Sequence, residues 1–165
     1  MFSTQSKVHA ADQRDALRKT LAAESAAGRT VVFTNGCFDL FHRGHLTLLQ
    51  AARTEGDLLV VGMNTDASVR RTKGPDRPFL PEAERARVLA SLACVDHVIL
   101  FEEDSVAPLI DALDPDVLIK GGDYDVTGIV GGDVAAARGK RVVRGPHVEG
   151  ASTTDLIARM KRLSA

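Results

Sequence analysis

A chain of 165 residues, 44% apolar and 26% charged, has the length and composition of one soluble domain with a sizeable core. Its formal net charge of −1 excludes a general attraction to nucleic acid or to an anionic membrane, so any chemistry on phosphates has to come from local groups of cations. No apolar run approaches the roughly 20 residues that span a bilayer, Met1 to Asp12 lacks a signal-peptide hydrophobic stretch, and two cysteines make no disulfide framework; a cytoplasmic location is the expectation.

Val8 to Ala27 is rich in Ala, Leu, Arg and Glu, with Leu17, Leu21 and Ala22 apolar, and predicts an amphipathic helix closed by Gly28. Residues 1–28 are therefore expected as a helical extension ahead of a single domain over 29–165. Val31-Val32-Phe33 is wholly apolar and predicts a buried strand. It leads through Thr34 into Asn35-Gly36-Cys37-Phe38-Asp39-Leu40-Phe41-His42-Arg43-Gly44-His45, where a glycine turn opens a helix predicted from Gly44 to Thr54. Gly36 lets a ligand approach the chain closely, and the helix start offers free N–H groups and a partial positive charge. His42 and His45, three residues apart, share a helix face. The unit reads as a phosphate cradle without a Walker lysine. A zinc site on the two histidines would need a third ligand, and Cys37 lies on the other side of the turn.

Leu58 to Met63 predicts the second strand, closed by Asn64-Thr65-Asp66. Continuous apolar runs separated by helices indicate a parallel sheet. Ligands then sit outside the carboxyl ends of the strands, so Asn64 and the glycine turn face one crevice. Ser68 to Pro81 carries Arg70, Arg71, Lys73 and Arg77 among Gly74, Pro75 and Pro78, and predicts a basic loop after a helical turn. A helix from Pro81 to Leu92 follows, with Arg85 rather than Arg87 expected to face the site. Val95 to Phe101 predicts the third strand, with His97 at an edge or the surface, and Glu102-Glu103-Asp104 the acidic start of a helix over Val106 to Leu113. The fourth strand, Val117-Leu118-Ile119, ends in Lys120-Gly121-Gly122-Asp123-Tyr124. Its glycines allow backbone contact with a ligand, while Lys120 and Asp123 supply charge of both signs. A helix within Thr127 to Gly139, a fifth strand at Arg141-Val142-Val143 and a last helix from Leu156 to Leu163 complete the chain. The hydroxyls of Ser152-Thr153-Thr154 suit both the cap of that last helix and a phosphate. The fold class is α/β: a Rossmann-like, doubly wound, parallel five-stranded sheet with helices on both faces.

Gly36 to His45 resembles the Gly-x-Phe-Asp-x-x-His-x-Gly-His motif of the cytidylyltransferase-like nucleotidyltransferases. Lys73-Gly74, Arg77-Pro78 and Glu84-Arg85 look like that family's mobile basic loop and the arginine after it, and Ser152-Thr153-Thr154 looks like its Ser-Thr-Thr element. The likeness extends over nearly the whole chain after Gly28. It implies an enzyme that moves a nucleoside monophosphate from a nucleoside triphosphate onto a phosphorylated acceptor and releases pyrophosphate. By the same likeness the catalytic cations are His42 and His45 on the α- and β-phosphates, Lys73 between nucleotide and acceptor, and Arg77. The nucleotide would be framed by Thr34, Asn35, Gly36, Cys37, Phe38, Gly44, Asn64, Arg85, Lys120, Gly121 and Asp123, with Ser152, Thr153 and Thr154 on its outer phosphates. Asp39, Lys73 and Tyr124 are assigned to the acceptor. Mg2+ would arrive as Mg-ATP, bridged by phosphates rather than caged by protein, with Asp39, the one acidic residue of the turn, open to helping hold the metal, the sugar, or the turn itself through side-chain to backbone bonds.

Thr34 to Asp39, Asn64 to Ser68, Val95-Asp96, Phe101 to Asp104 and Lys120 to Tyr124 are similar to the branch that adenylylates a heptose 1-phosphate, in the form without an attached kinase domain. His147-Val148 before Glu149-Gly150 departs from the glycerol 3-phosphate cytidylyltransferase branch, which carries Arg-Thr there. The expected reaction is AMP transfer from ATP to a sugar 1-phosphate, D-glycero-β-D-manno-heptose 1-phosphate in first place. A glycerol 3-phosphate cytidylyltransferase and a nucleotide-binding or sensing module without turnover are the alternatives. Family members commonly pair, and Val69 and Phe79 have no evident partner in the sequence, so a homodimer is expected.

Overall fold

Strands that are apolar at every position have to be covered on both faces. In the computed structural model, which describes residues 4–122 and 129–163, the strands form one all-parallel sheet. They are β1 (Val8–His9), β2 (Val31–Gly36), β3 (Leu58–Asn64), β4 (His97–Phe101), β5 (Val117–Gly121) and β6 (Arg141–Gly145), in the order β1-β4-β3-β2-β5-β6. The helices are α1 (Arg14–Ala26), α2 (Arg43–Thr54), α3 (Asp66–Lys73), α4 (Glu82–Ala90), α5 (Ala107–Leu113), α6 (Gly132–Ala137) and α7 (Thr153–Leu163). Successive strand side chains point to opposite faces, and the two cores divide that way. Val31, Phe33, Leu58 and Val60 pack with Leu17 and Leu21 of α1 and Leu109, Ile110 and Leu113 of α5. Val32, Leu59 and Val61 pack with Leu49 and Ala52 of α2 and Ala86 and Leu89 of α4.

The sheet has a sixth strand in place of the five expected. β1 lies inside the stretch that reads as helix and adds to the edge, with Val8 opposite Val98 and His9 opposite Ile99. Two residues are too few to carry a period. His97 fastens this edge, since its Nδ1 lies 3.0 Å from His9 Nε2. Asp96, just before β4, accepts from the Leu59 N–H at 2.8 Å and so sets the start of β4 against β3. Residues before 29 thus contribute β1 to the sheet and α1 to the core.

The helical turn expected at the start of the basic segment is a helix of 8 residues, α3. The Thr65 hydroxyl accepts from the Ser68 N–H at 3.3 Å and caps α3, which runs to Lys73 before Gly74 ends it at a φ of 100°. Pro81 is the cap residue of α4 rather than part of its first turn. Winding proceeds from β2 through β3 to β4 on one side and from β5 to β6 on the other, so its direction reverses between β2 and β5. That reversal opens the crevice in which open α/β sheets hold their ligands. Among the described residues, no helix is long and apolar enough to cross a membrane.

Candidate active site

β2 ends at Gly36, and the chain crosses residues 37–42 to α2 with Phe38 and Leu40 both in the left-handed region, at φ of 50° and 49°. That conformation costs a non-glycine residue on the order of 1–3 kcal/mol and persists only where the surroundings enforce it. Here they do. Phe38 is buried, with its ring centroid 5.1 Å from that of His45. Asp39, 1% exposed, accepts from Arg77 Nε at 2.8 Å, from the Phe79 N–H at 2.9 and 3.1 Å, and from the Leu80 N–H at 3.1 Å. Burial would raise its carboxyl, but the hydrogen bonds from Phe79, Arg77 and Leu80 outweigh burial and hold it below the usual carboxylate range. Of the roles open to Asp39, the hold on the backbone is the one its bonds show: its oxygens tie the basic loop to the turn.

Arg85 departs further from expectation. It is 1% exposed and does not reach the crevice. Its guanidinium donates to the carbonyls of Leu80 at 3.0 Å, Cys37 at 2.5 Å and Asn64 at 3.0 Å, and to Asp66 Oδ1 at 2.6 Å. The planar fork suits several fixed acceptors at once. Arg85 joins the glycine turn, the end of β3 and the basic loop, and the nucleotide contact expected of it is corrected to this internal one.

α2 starts at His42, whose Nδ1 accepts from the Gly44 N–H at 3.1 Å. The N–H of its neutral ring is therefore on Nε2. His45 stacks on it, with centroids 3.8 Å apart and planes at 22°. Burial first, and then the neighbouring His42, pull the His45 pKa down to about 4, and burial lowers that of His42 as well. At neutral pH the two are uncharged N–H donors rather than cations. His45 Nδ1 is buried with no hydrogen-bond partner among the described residues. A Cβ on Gly44 would meet the Ala151 carbonyl oxygen at 2.5 Å, so glycine is needed for the approach to α7 to lie against the start of α2.

These pieces surround a cavity of about 530 Å³ at the carboxyl ends of β2, β3, β4 and β5. Of the residues expected there, Asn35, Gly36, Cys37, Phe38, Asp39, His45, Asn64, Lys73, Arg77, Lys120, Thr153 and Thr154 line it. Lys120 donates to the Asn35 carbonyl at 3.1 Å and to its Oδ1 at 2.9 Å. Burial, opposed by Cys37 and helped by the charge of Lys73, draws its pKa down to about 8. The Cys37 thiol is pushed up by burial against the opposing pull of Lys73, Arg85, Arg77 and Lys120. Thr153 donates to the Asp39 carbonyl at 3.1 Å, which brings the start of α7 to the turn. Ser152 and Asp155 cap α7 reciprocally, through the Asp155 N–H to Ser152 Oγ at 3.1 Å and the Ser152 N–H to Asp155 Oδ2 at 3.2 Å.

The remaining expected residues lie elsewhere. His42 sits against His45 outside the lining, Thr34 is buried in β2 with no partner for its hydroxyl among the described residues, and Gly121 packs on Leu48. Asp123 and Tyr124 fall outside the described residues. Thr72, Phe101, Asp104, Val106 and Val130 line the cavity without having been foreseen. The available signal was position alone, since Phe101 and Asp104 follow the carboxyl end of a strand. Val69, expected to lack a partner, is fully buried, whereas Phe79 is 49% exposed with the Arg77 guanidinium 5.2 Å from its ring centroid.

Residues 33–159 match the model of the family described as cytidylyltransferase-like. The chain belongs to this family. It is thereby a nucleotidyltransferase, with the cradle geometry described above. Over 147 residues it is 55% identical to the bifunctional protein HldE of Trichlorobacter lovleyi and 54% identical to that of Syntrophotalea carbinolica, in each case 89% of this chain. The chain spans 30% of the length of those relatives. Among solved structures it is similar to the lipopolysaccharide core biosynthesis protein from Thermoplasma volcanium, with a TM-score of 0.62 and 24% identity over 74% of this chain and 100% of that one. It is also similar to pantothenate synthetase from Thermus thermophilus, with a TM-score of 0.60 and 22% identity over 85% of this chain and 62% of that one. These two likenesses concern the fold.

Another cavity of the nucleotidyltransferase, about 560 Å³ beside α1 and α5, also carries basic residues. There Arg138 and Lys140 are paired with Asp111, Asp114 and Asp116, so their charge is already answered. Among the described residues no three His, Cys, Asp or Glu side chains converge to hold a metal ion. With the oxygens of Asp39 committed, the donor set fits a metal carried by the substrate's own phosphates better than a resident one.

Proposed function

We propose that the enzyme transfers AMP from ATP to a sugar 1-phosphate, D-glycero-β-D-manno-heptose 1-phosphate, giving ADP-heptose and pyrophosphate. The observation that carries this reading is the convergence of His45, Lys73, Arg77, Lys120, Thr153 and Thr154 on one cavity around the glycine turn. An acceptor phosphate oxygen attacks the α-phosphorus, the new P–O bond forms, and the bond to the bridging oxygen breaks in line to release pyrophosphate. The nucleophile is already anionic, so the protein's work is positioning and charge stabilisation. His45 and His42 would donate ring N–H groups to the α- and β-phosphates. Lys73 would bridge the two substrates, and Thr153 and Thr154 would meet the outer phosphates. Mg2+, carried in with ATP, would neutralise charge on the phosphate oxygens.

The choice of ATP and heptose rests on the Lys120 to Tyr124 segment, on His147-Val148 in place of Arg-Thr, and on the likeness to HldE proteins, which points toward ADP-heptose synthesis. Separate reactions of ATP and CTP with heptose 1-phosphate and with glycerol 3-phosphate, read by pyrophosphate release, test it. Fast turnover is expected for ATP with heptose 1-phosphate and little for CTP with glycerol 3-phosphate; the reverse order would overturn the substrate assignment. We also propose a homodimer, supported by the exposed Phe79 and Val88 on neighbouring segments. Light scattering at micromolar concentration should give twice the chain mass, and a monomer mass would refute it.

A further inference from the structure

Among the described lining residues the carboxylates are Asp39 and Asp104, and the other charged side chains, Lys73, Arg77 and Lys120, are cations. Asp39 is 1% exposed and bonded to the basic loop. Asp104, with 69% of its side chain exposed, is the carboxylate open to ligand among the described lining residues. It follows the carboxyl end of β4 and is held in place from α3: Arg71 Nε donates to its Oδ1 at 2.8 Å, while the same guanidinium donates to the Glu102 carbonyl. Among the described residues no donor meets its Oδ2. Thr72, next to Arg71, lines the same cavity and gives its proton to the Ser68 carbonyl at 3.0 Å, so its oxygen can only accept from a ligand.

Asp104, ion-paired with Arg71, offers only acceptor oxygens, and phosphate oxygens are acceptors too, so it has nothing to donate to the triphosphate or to the phosphate of the acceptor. It suits an uncharged part of a ligand that carries O–H donors. The β5 side of the cavity, with Lys120, lies at the reversal between β2 and β5 where a nucleotide belongs. Asp104 and Thr72 lie on the other side, reached from β4 and α3. We infer that Asp104 accepts hydrogen bonds from hydroxyls of the acceptor sugar, in a subsite shared with Thr72 and oriented by Arg71, and so selects which sugar phosphate reacts. The inference rests on the sugar 1-phosphate reading above. A site built to bond a substrate hydroxyl discriminates strongly against the analogue that lacks it.

The test is steady-state kinetics with ATP and D-glycero-β-D-manno-heptose 1-phosphate for wild type, Asp104→Ala and Asp104→Asn, repeated with heptose 1-phosphates each lacking one hydroxyl. Loss of a hydrogen bond to a charged group predicts a rise of about ten- to a hundredfold in KM for the sugar phosphate in Asp104→Ala. KM for ATP and the melting temperature should stay at wild-type values, because the side chain is exposed. One deoxy sugar should lower kcat/KM in wild type and not in Asp104→Ala. If every deoxy sugar costs wild type and variant equally, or if KM for ATP rises instead, the subsite is overturned. A wild type that turns over no sugar 1-phosphate would sink the proposed function and this inference together. An active wild type with an unaltered Asp104→Ala would sink the inference alone.

Discussion

Replacing Arg85 separates an internal tie from a nucleotide contact. Arg85→Met keeps much of the side-chain volume but removes donors to three carbonyls and to the Asp66 carboxylate. Breaking a buried ion pair by removing one partner costs about 3–5 kcal/mol. Each carbonyl left unpaired adds about 1–3 kcal/mol where water cannot reach it. Asp66 is 23% exposed and can recover some solvation, and losses within one bonded group do not simply add, so about 4 kcal/mol, the range of the ion pair alone, is taken as the minimum. For a domain of this size 1 kcal/mol corresponds to about 2–4 °C, giving a fall in Tm of roughly 8–16 °C or more. Arg85→Lys, which keeps a charge but loses the fork, should fall between that variant and wild type. Calorimetric or circular-dichroism melts read the effect. A Tm within about 2 °C of wild type, combined with lost ATP affinity, would refute the reasoning and return Arg85 to the nucleotide.

His45→Ala should lower kcat by about two to three orders of magnitude, the scale for one lost transition-state donor; near-normal turnover would remove the cradle assignment. His42→Ala should show a similar loss and, as it also removes the cap of α2, a stability decrease of about 1 kcal/mol in urea melts. Lys73→Ala should reduce turnover more than ATP affinity, because a basic loop beside Gly74 and Pro75 acts chiefly when closed over substrates; calorimetry showing ATP binding abolished with the rate at saturation unchanged would contradict this. Acid should destabilise the fold below about pH 6.5, because burial lowers the pKa of His9, His42, His45 and His97, so the unfolded chain binds more protons there. This stability is fully present above the unfolded pKa and is lost as pH falls. His45, with a pKa of about 4 against 6.5, accounts for at most about 3 kcal/mol of it, and urea melts at equal stability from pH 7.5 to 5 would contradict the linkage.

The central strands and the cradle were legible because both are local. Val31 to Phe33 and Leu58 to Met63 are apolar throughout, and Gly36, His42, Gly44 and His45 keep a fixed spacing along the chain. β1 escaped because two residues carry no period, and its place depends on Val98 and His97 arriving from far along the chain. Arg85 was misjudged for a related reason. Helical spacing separates its direction from that of Arg87, but the acceptors that bury it come from β2, β3 and the basic loop and meet only in the folded chain. Asp39 likewise looks like a free carboxylate until residues 77–80 close on it. Asp104 and Thr72 carry no motif, and only the sheet order brings the ends of β4 and α3 to the same cavity as the glycine turn.

Phosphorus NMR of the enzyme mixed with Mg-ATP and D-glycero-β-D-manno-heptose 1-phosphate observes the proposed bond change itself. Transfer of AMP predicts loss of the sugar monophosphate signal, growth of a coupled pair from the new sugar nucleotide diphosphate, and an equal amount of pyrophosphate. Release of ADP or inorganic phosphate without a sugar nucleotide, or no change at all in the presence of enzyme that binds ATP, would contradict adenylyl transfer to a sugar 1-phosphate.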